Sequence, residues 1–173
     1  MTKQFAMPLL GCLLAALTAT ATAAGKSDVA PVNDELYAKE CGACHFAYPP
    51  GLLPARSWEK LFSQLSEHFG ENAELAADDV KALTTYAAAN AADRSTHPRS
   101  QKIARSVKAG DTPLRITETP YIRGEHRELP RKILQDNPQV QSLGKCNACH
   151  THAAQGSFNE DEIKIPGFDR WEN

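Results

Sequence analysis

The sequence has very little methionine. Of 173 residues only Met1 and Met7 are methionine, and both lie among the first ten. From residue 8 onward no thioether side chain is available as a metal ligand, which excludes an iron site that pairs histidine with methionine. Six histidines are present, and their imidazoles remain available as nitrogen ligands to a metal.

Long apolar runs are missing beyond the N-terminus. Lys3 precedes an apolar run from Phe5 to Leu17, and Ala21-Thr22-Ala23 has the pattern of a cleavage site, so residues 1–23 are predicted to be a secretory signal peptide. No later stretch approaches the ~20 apolar residues of a spanning helix, so we expect a soluble, exported, periplasmic protein. A lipoprotein anchored through Cys12 is the alternative, but the apolar run before that cysteine is short.

Cysteine is scarce and follows one pattern. Four of the five cysteines lie outside the predicted signal peptide, in Cys41-Gly42-Ala43-Cys44-His45 and Cys146-Asn147-Ala148-Cys149-His150. In Cys-x-x-Cys-His the two thiols bond covalently to a haem edge and the adjoining histidine becomes the proximal iron ligand. The two copies predict two covalently bound haem c groups, and they leave no cysteine for a structural disulfide.

Two other chemistries use a Cys-x-x-Cys pair. A thioredoxin-like dithiol needs a βαβ pattern around it, and no alternating β-branched runs flank either copy. A zinc site does not require histidine directly after the second cysteine in both copies. Haem attachment therefore explains the pattern better than either alternative.

Charge is unevenly distributed along the chain. Residues 26–93 carry 5 basic and 11 acidic side chains, residues 94–145 carry 11 and 5, and residues 146–173 carry 2 and 5. The basic segment is either a docking face for an acidic redox partner or a cradle for haem propionates. An ordinary solvated surface attracted to the acidic first half remains the simpler alternative.

The first half is predicted to begin with two helices. Asn33 or Asp34 caps a helix that runs into Cys41 and presents the first motif. Ser57 caps a second helix, whose apolar residues recur at helical spacing until Gly70 ends it.

A third helix is predicted from about Asp78 to Ala92. The order of these three helices resembles the class I cytochrome c plan. Polar residues and a proline over 93–100 indicate a domain boundary, so we expect a class I cytochrome c-like domain over 24–95 and a second haem-binding domain over 96–173. The fold class predicted is all-α, with the second domain smaller and less regular.

The second domain is predicted to contain short helices. A basic helix over 101–107 is followed by an irregular stretch over 109–124, and Pro130 opens a helix that stops before Pro138. A last helix from about Gln139 delivers the second motif. The tail, through Ile163, Ile165 and Phe168, is expected to cover the second haem.

Four histidines remain as candidates for the sixth iron ligands. His68 lies on the edge of the apolar stripe of the second predicted helix, so it is favoured for haem 1 over a merely packed or surface role. For haem 2 the choice lies between His126 and His97. His126 is favoured because His97, beside Pro98 in a polar hinge, is expected to be a surface residue. His152 is only two residues beyond the proximal His150, so the chain cannot carry it to the opposite haem face.

Several motifs together resemble the dihaem cytochrome c family of bacterial electron carriers, over nearly the whole chain after the signal peptide. Besides the two Cys-x-x-Cys-His motifs, they are His68-Phe69-Gly70-Glu71-Asn72-Ala73, Thr117-Glu118-Thr119-Pro120, His126-Arg127-Glu128-Leu129-Pro130, Gly156 and Ile163-Lys164-Ile165-Pro166.

The resemblance implies bis-histidine ligation of both haems, through His45 with His68 and through His150 with His126. It also implies periplasmic electron transfer between a membrane-embedded b-type cytochrome as donor and a small oxygen-binding monohaem cytochrome as acceptor. A rival interpretation is a dihaem peroxidase or gas-binding sensor, which requires one open haem iron. A structural protein that merely carries haem is disfavoured, because all four remaining cysteines are committed to attachment.

Overall fold

A computed structural model describes residues 27–168, and the predicted signal peptide with Cys12 lies outside this range. The described part is helical and contains no strand, which confirms the all-α prediction. Its helices are α1 Glu35–Gly42, α2 Ala55–Phe62, α3 Ala77–Ala89, α4 Pro98–Ser106, α5 Pro120–Glu125, α6 Arg131–Leu134 and α7 Cys146–Cys149. Five single 3₁₀ turns are Pro50–Leu52, Leu65–Glu67, Ile116–Glu118, Ala153–Gln155 and Glu160–Glu162.

Helix α1 begins as predicted. The Asp34 carboxylate accepts a hydrogen bond of 2.8 Å from the backbone N–H of Tyr37, and Glu35 places a negative charge in the first turn. Both features compensate the unpaired N–H groups and positive end of a helix. The helix ends at Gly42, so it delivers Cys41 in its last turn.

The predicted bounds of α2 are wrong at both ends. The helix starts at Ala55, whose backbone N–H donates to the Asp93 carboxylate at 2.9 Å. Ser57 lies inside the helix and is fully buried, so it is not the cap. The helix ends at Phe62, well before Gly70, and the chain then turns through a single 3₁₀ turn.

The core of the first half packs around Tyr37 and Trp58. Tyr37 is 1% exposed, and its ring lies 6.3 Å from the Trp58 ring and 5.2 Å from the Tyr86 ring. Leu83 and Ala87 on α3 are buried in the same cluster. The Trp58 indole N–H donates to the carbonyl of Pro50 at 2.8 Å, so the buried polar atom is satisfied.

The core continues into the second half. Ile103 on α4, Ile116, Ala153 and Phe158 belong to the same buried cluster as the residues of α1 to α3. The proposed division at residues 93–100 stays a prediction, but packing is continuous across it. A shared core compensates for the small apolar area that each half buries alone.

The second half differs from its prediction in three places. Helix α4 starts at Pro98 and not at Gln101, and the stretch predicted to be irregular contains α5, which has Pro120 at its first position. Helix α6 follows Pro130 as predicted. The last helix is confined to Cys146–Cys149, because Gln141 has a φ of +63° that interrupts a helix starting near Gln139.

Among the described residues, no helix has the length and apolar character needed to cross a membrane.

One glycine fixes the path of the chain near the second motif. Gly156 has a φ of +77°, and a Cβ atom there would lie 2.2 Å from the carbonyl oxygen of Val29. The backbone N–H of Val29 donates to the carbonyl of Gly156 at 3.1 Å, so the two segments are in direct contact. The position therefore requires both a left-handed backbone and the absence of a side chain.

Gly156→Ala is expected to lower the free energy of unfolding by ~2–5 kcal/mol, since the left-handed backbone costs ~1–2 kcal/mol and overpacking adds ~1–3 kcal/mol. Gly167→Ala is the matched control, because Gly167 has a φ of +79° with nothing within 4 Å of its Cβ position. The Gly167→Ala protein should lose only the ~1–2 kcal/mol that the left-handed backbone costs a residue with a side chain. Denaturant unfolding of the two haem-loaded variants measures the difference, and equal losses would contradict the predicted clash.

Candidate haem sites

The first candidate site joins the end of α1 to a turn 23 residues further along the chain. His45 follows the first pair of cysteines, and His68 follows the 3₁₀ turn Leu65–Glu67. The centroids of their imidazole rings lie 6.2 Å apart, and the ring planes are 18° from parallel. The structure thus brings together the proximal histidine and the histidine favoured for the opposite side of haem 1.

The second candidate site joins α7 to the end of α5. His150 ends the second motif, and its centroid lies 6.1 Å from that of His126, with the planes 76° apart. His126 is positioned by the last turn of α5, since its backbone N–H donates to the carbonyl of Ile122 at 3.3 Å. The structure brings together the predicted pair here too.

Both separations suit one iron between two imidazoles. With a metal–nitrogen bond of about 2 Å and a ring radius of about 1.1 Å, two imidazoles on opposite sides of one iron have centroids about 6.2 Å apart. The observed values are 6.2 Å and 6.1 Å. The donor pairs therefore fit a haem iron in each site.

Backbone carbonyls orient one imidazole in each pair. The Nδ1–H of His45 donates to the carbonyl of Phe46 at 2.8 Å, and the Nδ1–H of His126 donates to the carbonyl of Ile122 at 2.8 Å. With the proton held on Nδ1, the lone pair of Nε2 is free to bind a metal. The Nδ1 of His150 is buried without a partner.

The surroundings of two candidate ligands, His68 and His150, favour the neutral imidazole. Burial, His126 and Arg99 lower the pKa of His150 to about 4, the largest effect being burial. Burial, His45 and Arg115 also lower the pKa of His68. A neutral imidazole offers the lone pair that iron needs, so both histidines are prepared for ligation at neutral pH.

A cavity of about 620 Å³ lies at the second site, within the range of cofactor pockets, about 300–1,000 Å³. His126, His150, Cys146 and Cys149 line it together with apolar side chains, among them Phe158, Ile163 and Ile165. The tail therefore contributes to the wall as expected, except that Phe168 is not a lining residue. Phe168 instead lies with its ring 5.6 Å from the ammonium of Lys132.

The two remaining histidines are held elsewhere. The Nδ1–H of His97 donates to the carbonyl of Ser27 at 2.7 Å, so His97 ties α4 to the N-terminal segment and is not the plain surface residue expected. His152 is exposed, with its Nδ1 3.4 Å from the Glu162 carboxylate.

Three of the four thiols, those of Cys41, Cys146 and Cys149, do not have the character of redox-active cysteines. Burial raises the pKa of Cys41 and of Cys146 to about 11, and it also raises the pKa of Cys149. A catalytic dithiol depends on a lowered thiol pKa. Within residues 27–168 no three metal-ligating side chains come together around a shared point, as a zinc site would require.

The sequence model of the dihaem cytochrome c family matches residues 37–158. The chain belongs to the dihaem cytochrome c family. Membership implies two covalently bound haem c groups and an electron-transfer role. No protein in a comparison with curated sequences matches the chain.

Solved structures agree with the family. A dihaem cytochrome c from Shewanella baltica OS155 is 37% identical, with 80% of this chain and 97% of that chain covered and a TM-score of 0.66. A dihaem cytochrome c from Rhodobacter sphaeroides is 42% identical, with 75% and 100% covered and a TM-score of 0.67. A second structure, of a protein purified from Rhodobacter sphaeroides, is 40% identical, with 74% and 99% covered and a TM-score of 0.60.

The two attachment motifs of this dihaem cytochrome are neighbours in space. The hydroxyl of Tyr48 donates to the carbonyl of Gly144 at 2.6 Å, across 96 residues, and the Tyr48 ring lies 5.0 Å from the His45 ring. A groove of about 480 Å³ is lined by residues of both motifs. Tyr48 thus connects His45 to the segment just before Cys146, and nothing in its local sequence indicates this role.

Tyr48→Phe is expected to slow electron exchange between the two haems and to lower stability by about 0.5–1.5 kcal/mol, because it removes the bond to Gly144 and keeps the ring. Tyr86→Phe is the matched control, since the Tyr86 hydroxyl bonds Asn33 within the first half. Line shapes of haem methyl signals in NMR spectra of the half-reduced protein measure the exchange. Equal exchange in the two variants would show that the Tyr48 bond has no part in it.

Proposed function

We propose that this protein is a periplasmic electron carrier in which both haem irons are ligated by two histidines, His45 with His68 and His150 with His126. The observation that carries the proposal is the separation of the ring centroids in the two imidazole pairs, 6.2 Å and 6.1 Å. An iron with both axial positions filled by imidazole has no open position for a small molecule. It relays electrons without binding or activating a substrate.

The ligand set also determines the range of potential. Thioether ligation raises the potential of a c-type haem, and the chain has no methionine after residue 7. Two neutral imidazoles stabilise the ferric state more than an imidazole and a thioether do. Both haems are therefore low-potential, low-spin centres.

The partners follow from location and charge. The predicted signal peptide supports periplasmic export. The donor proposed is a membrane-embedded b-type cytochrome and the acceptor a small oxygen-binding monohaem cytochrome c. The excess of basic side chains in residues 94–145 would suit an acidic face on either partner.

A strained turn supports the position of His68. Phe69 and Gly70 have φ values of +57° and +99°, and the backbone N–H of Glu71 donates to the carbonyl of His68 at 3.2 Å. A left-handed φ costs a non-glycine residue ~1–2 kcal/mol. The Phe69 ring lies 4.8 Å from the His68 ring, and the guanidinium of Arg115 lies 3.9 Å from the Phe69 centroid. The ring contacts offset the backbone strain and hold His68 in place.

The ligation is tested by optical spectra of the reduced protein before and after addition of carbon monoxide. The wild-type protein should show no change. His68→Ala should open haem 1 and His126→Ala haem 2, each forming an adduct on half of the haem. His97→Ala and His152→Ala are the controls and should behave as wild type.

An adduct on half of the haem in the wild-type protein would refute the proposal and favour the peroxidase or gas-sensor alternative. A His126→Ala protein that stays fully low-spin and six-coordinate would show that another histidine is the sixth ligand of haem 2.

Phe69→Ala and Phe69→Gly separate the ring contact from the turn. Both remove the ring, but only the glycine variant also relieves the backbone strain. If the ring holds His68, both variants should bind cyanide at ferric haem 1 at least several-fold faster than wild type, because cyanide has to wait for His68 to dissociate. A Phe69→Gly protein with the wild-type rate would show that the turn alone positions His68.

A further inference from the structure

His150 lacks the hydrogen bond that orients two of the other candidate ligands. The Nδ1–H groups of His45 and His126 donate to backbone carbonyls, whereas the Nδ1 of His150 is buried without a partner. A ligating imidazole whose second nitrogen is unbonded depends on packing for its orientation. The ring of Phe158 is buried in the wall of the same cavity, with its centroid 5.2 Å from that of His150. Phe158 therefore supplies by ring contact what a hydrogen bond supplies to His45 and His126.

Phe158 is itself held from distant parts of the chain. Its backbone N–H donates to the Asp28 carboxylate at 2.7 Å, across 130 residues. Its carbonyl accepts a hydrogen bond of 3.1 Å from the Arg99 guanidinium. Phe158 lies outside the helices, so these two side chains satisfy backbone groups that have no helical partner. The position of the Phe158 ring thus depends on Asp28 and Arg99.

The backbone around Asp28 is fixed on both sides. The backbone N–H of Arg99, at the start of α4, donates to the carbonyl of Asp28 at 3.1 Å. The next residue, Val29, is fully buried and donates its backbone N–H to the carbonyl of Gly156 at 3.1 Å. Residues 27–29 therefore lie between α4 and the loop after the second motif, and they present the Asp28 carboxylate to Phe158 in a defined place.

The charge of Asp28 is partly shielded from solvent. Its side chain is 26% exposed, and its second carboxylate oxygen lies 3.8 Å from Nε of Arg99. Glu125 is the other carboxylate at this guanidinium, at 3.7 Å. Removing Asp28 would leave Arg99 with one carboxylate in place of two, which makes the wall of the cavity more positive. A partly buried charge acts through a lower effective dielectric constant than an exposed one, so the change is felt in the cavity.

We propose that Asp28 is a positioning residue of haem 2: its carboxylate holds Phe158 against His150, and its charge lowers the reduction potential of that haem. The proposal rests on His150 as an iron ligand, which is part of the proposed function. The ferric haem carries one positive charge more than the ferrous haem, so a carboxylate in the wall favours the ferric form. The N-terminal segment thus contributes to a site whose iron ligands lie in the second half of the chain.

Asp28→Asn tests the charge, because the amide keeps a carbonyl oxygen for the N–H of Phe158. It should raise the potential of haem 2 and leave haem 1 nearly unchanged. Asp78→Asn is the matched control, since it removes the same charge from an exposed residue in the first turn of α3. Redox titrations followed by NMR measure both potentials, with contacts to Ile163 marking haem 2. The upward shift at haem 2 should be several-fold larger in Asp28→Asn, and equal shifts would overturn the role of the charge.

Asp28→Ala tests the position of Phe158, because it removes the acceptor as well as the charge. Nuclear Overhauser effects between the ring protons of Phe158 and His150 report their contact in the reduced, diamagnetic protein. The contacts should persist in Asp28→Asn and become several-fold weaker in Asp28→Ala. An Asp28→Ala protein with the contacts of the wild type would overturn the positioning role.

A second measurement is independent of whether Asp28→Ala folds. The backbone amide of Phe158 should exchange with deuterated solvent slowly in the wild-type protein and in Asp28→Asn, because its hydrogen bond to residue 28 is kept in both. Exchange in the wild-type protein at the rate of an exposed loop amide would contradict the hydrogen bond and overturn the positioning role.

Carbon monoxide separates this proposal from the proposed function. An adduct at haem 2 of the reduced wild-type protein would refute ligation by His126, while the contact between Phe158 and His150 stays measurable in the diamagnetic adduct. A wild-type protein that resists carbon monoxide, together with Asp28 variants that keep its potentials and ring contacts, would refute only the role of Asp28. The two proposals therefore fail by different observations.

Discussion

Both candidate haem sites depend on a pair of imidazoles held at a separation that suits one iron. In each pair one histidine is tethered directly to an attachment motif, and the other comes from a separate turn or helix end. His45 and His68 are 23 residues apart, and His126 and His150 are 24 apart. Such a gap requires the backbone to hold two side chains that do not touch. The backbone is constrained at both ends, by carbonyls that orient His45 and His126 and by isolated bridges that pair His68 with Glu71 and His150 with Ile163.

A small chain with little core explains why the two halves share their packing. One buried cluster extends from α1 to Phe158, and Gly156 allows the N-terminal segment to lie against the loop after the second motif. Tyr48 adds a direct bond between the two attachment motifs. These contacts keep the two sites at a fixed separation, which a relay of electrons between two haems requires.

The attachment motifs could be predicted because covalent chemistry demands a contiguous pattern. The cap of α1 and the start of α6 were also predictable, since Asp34 and Pro130 act on their immediate neighbours. The start of α2 was not, because its cap is the side chain of Asp93, 38 residues away. The sequence favours His68 as a ligand for an incorrect local reason: its spacing predicts a helix edge, but the residue lies in a tight turn next to a strained phenylalanine.

Long-range features were beyond local sequence patterns. Tyr48 reads as part of a proline-rich loop, and Arg99 is one of eleven basic residues in its segment. Only the fold places Tyr48 against the second attachment motif and Arg99 in a cavity wall. The sequence leaves a propionate cradle in the basic segment as one alternative, and the pattern of charges cannot select one arginine.

The most direct measurement is a low-temperature EPR spectrum of the fully oxidised protein. Two imidazole planes near parallel perturb the same iron d orbital and give a rhombic low-spin signal, whereas near-perpendicular planes leave two d orbitals almost degenerate and give a strongly anisotropic one. With planes 18° apart at the first site and 76° apart at the second, we expect one signal of each kind in equal amounts. A high-spin ferric signal accounting for half of the iron would contradict ligation of both haems by paired histidines.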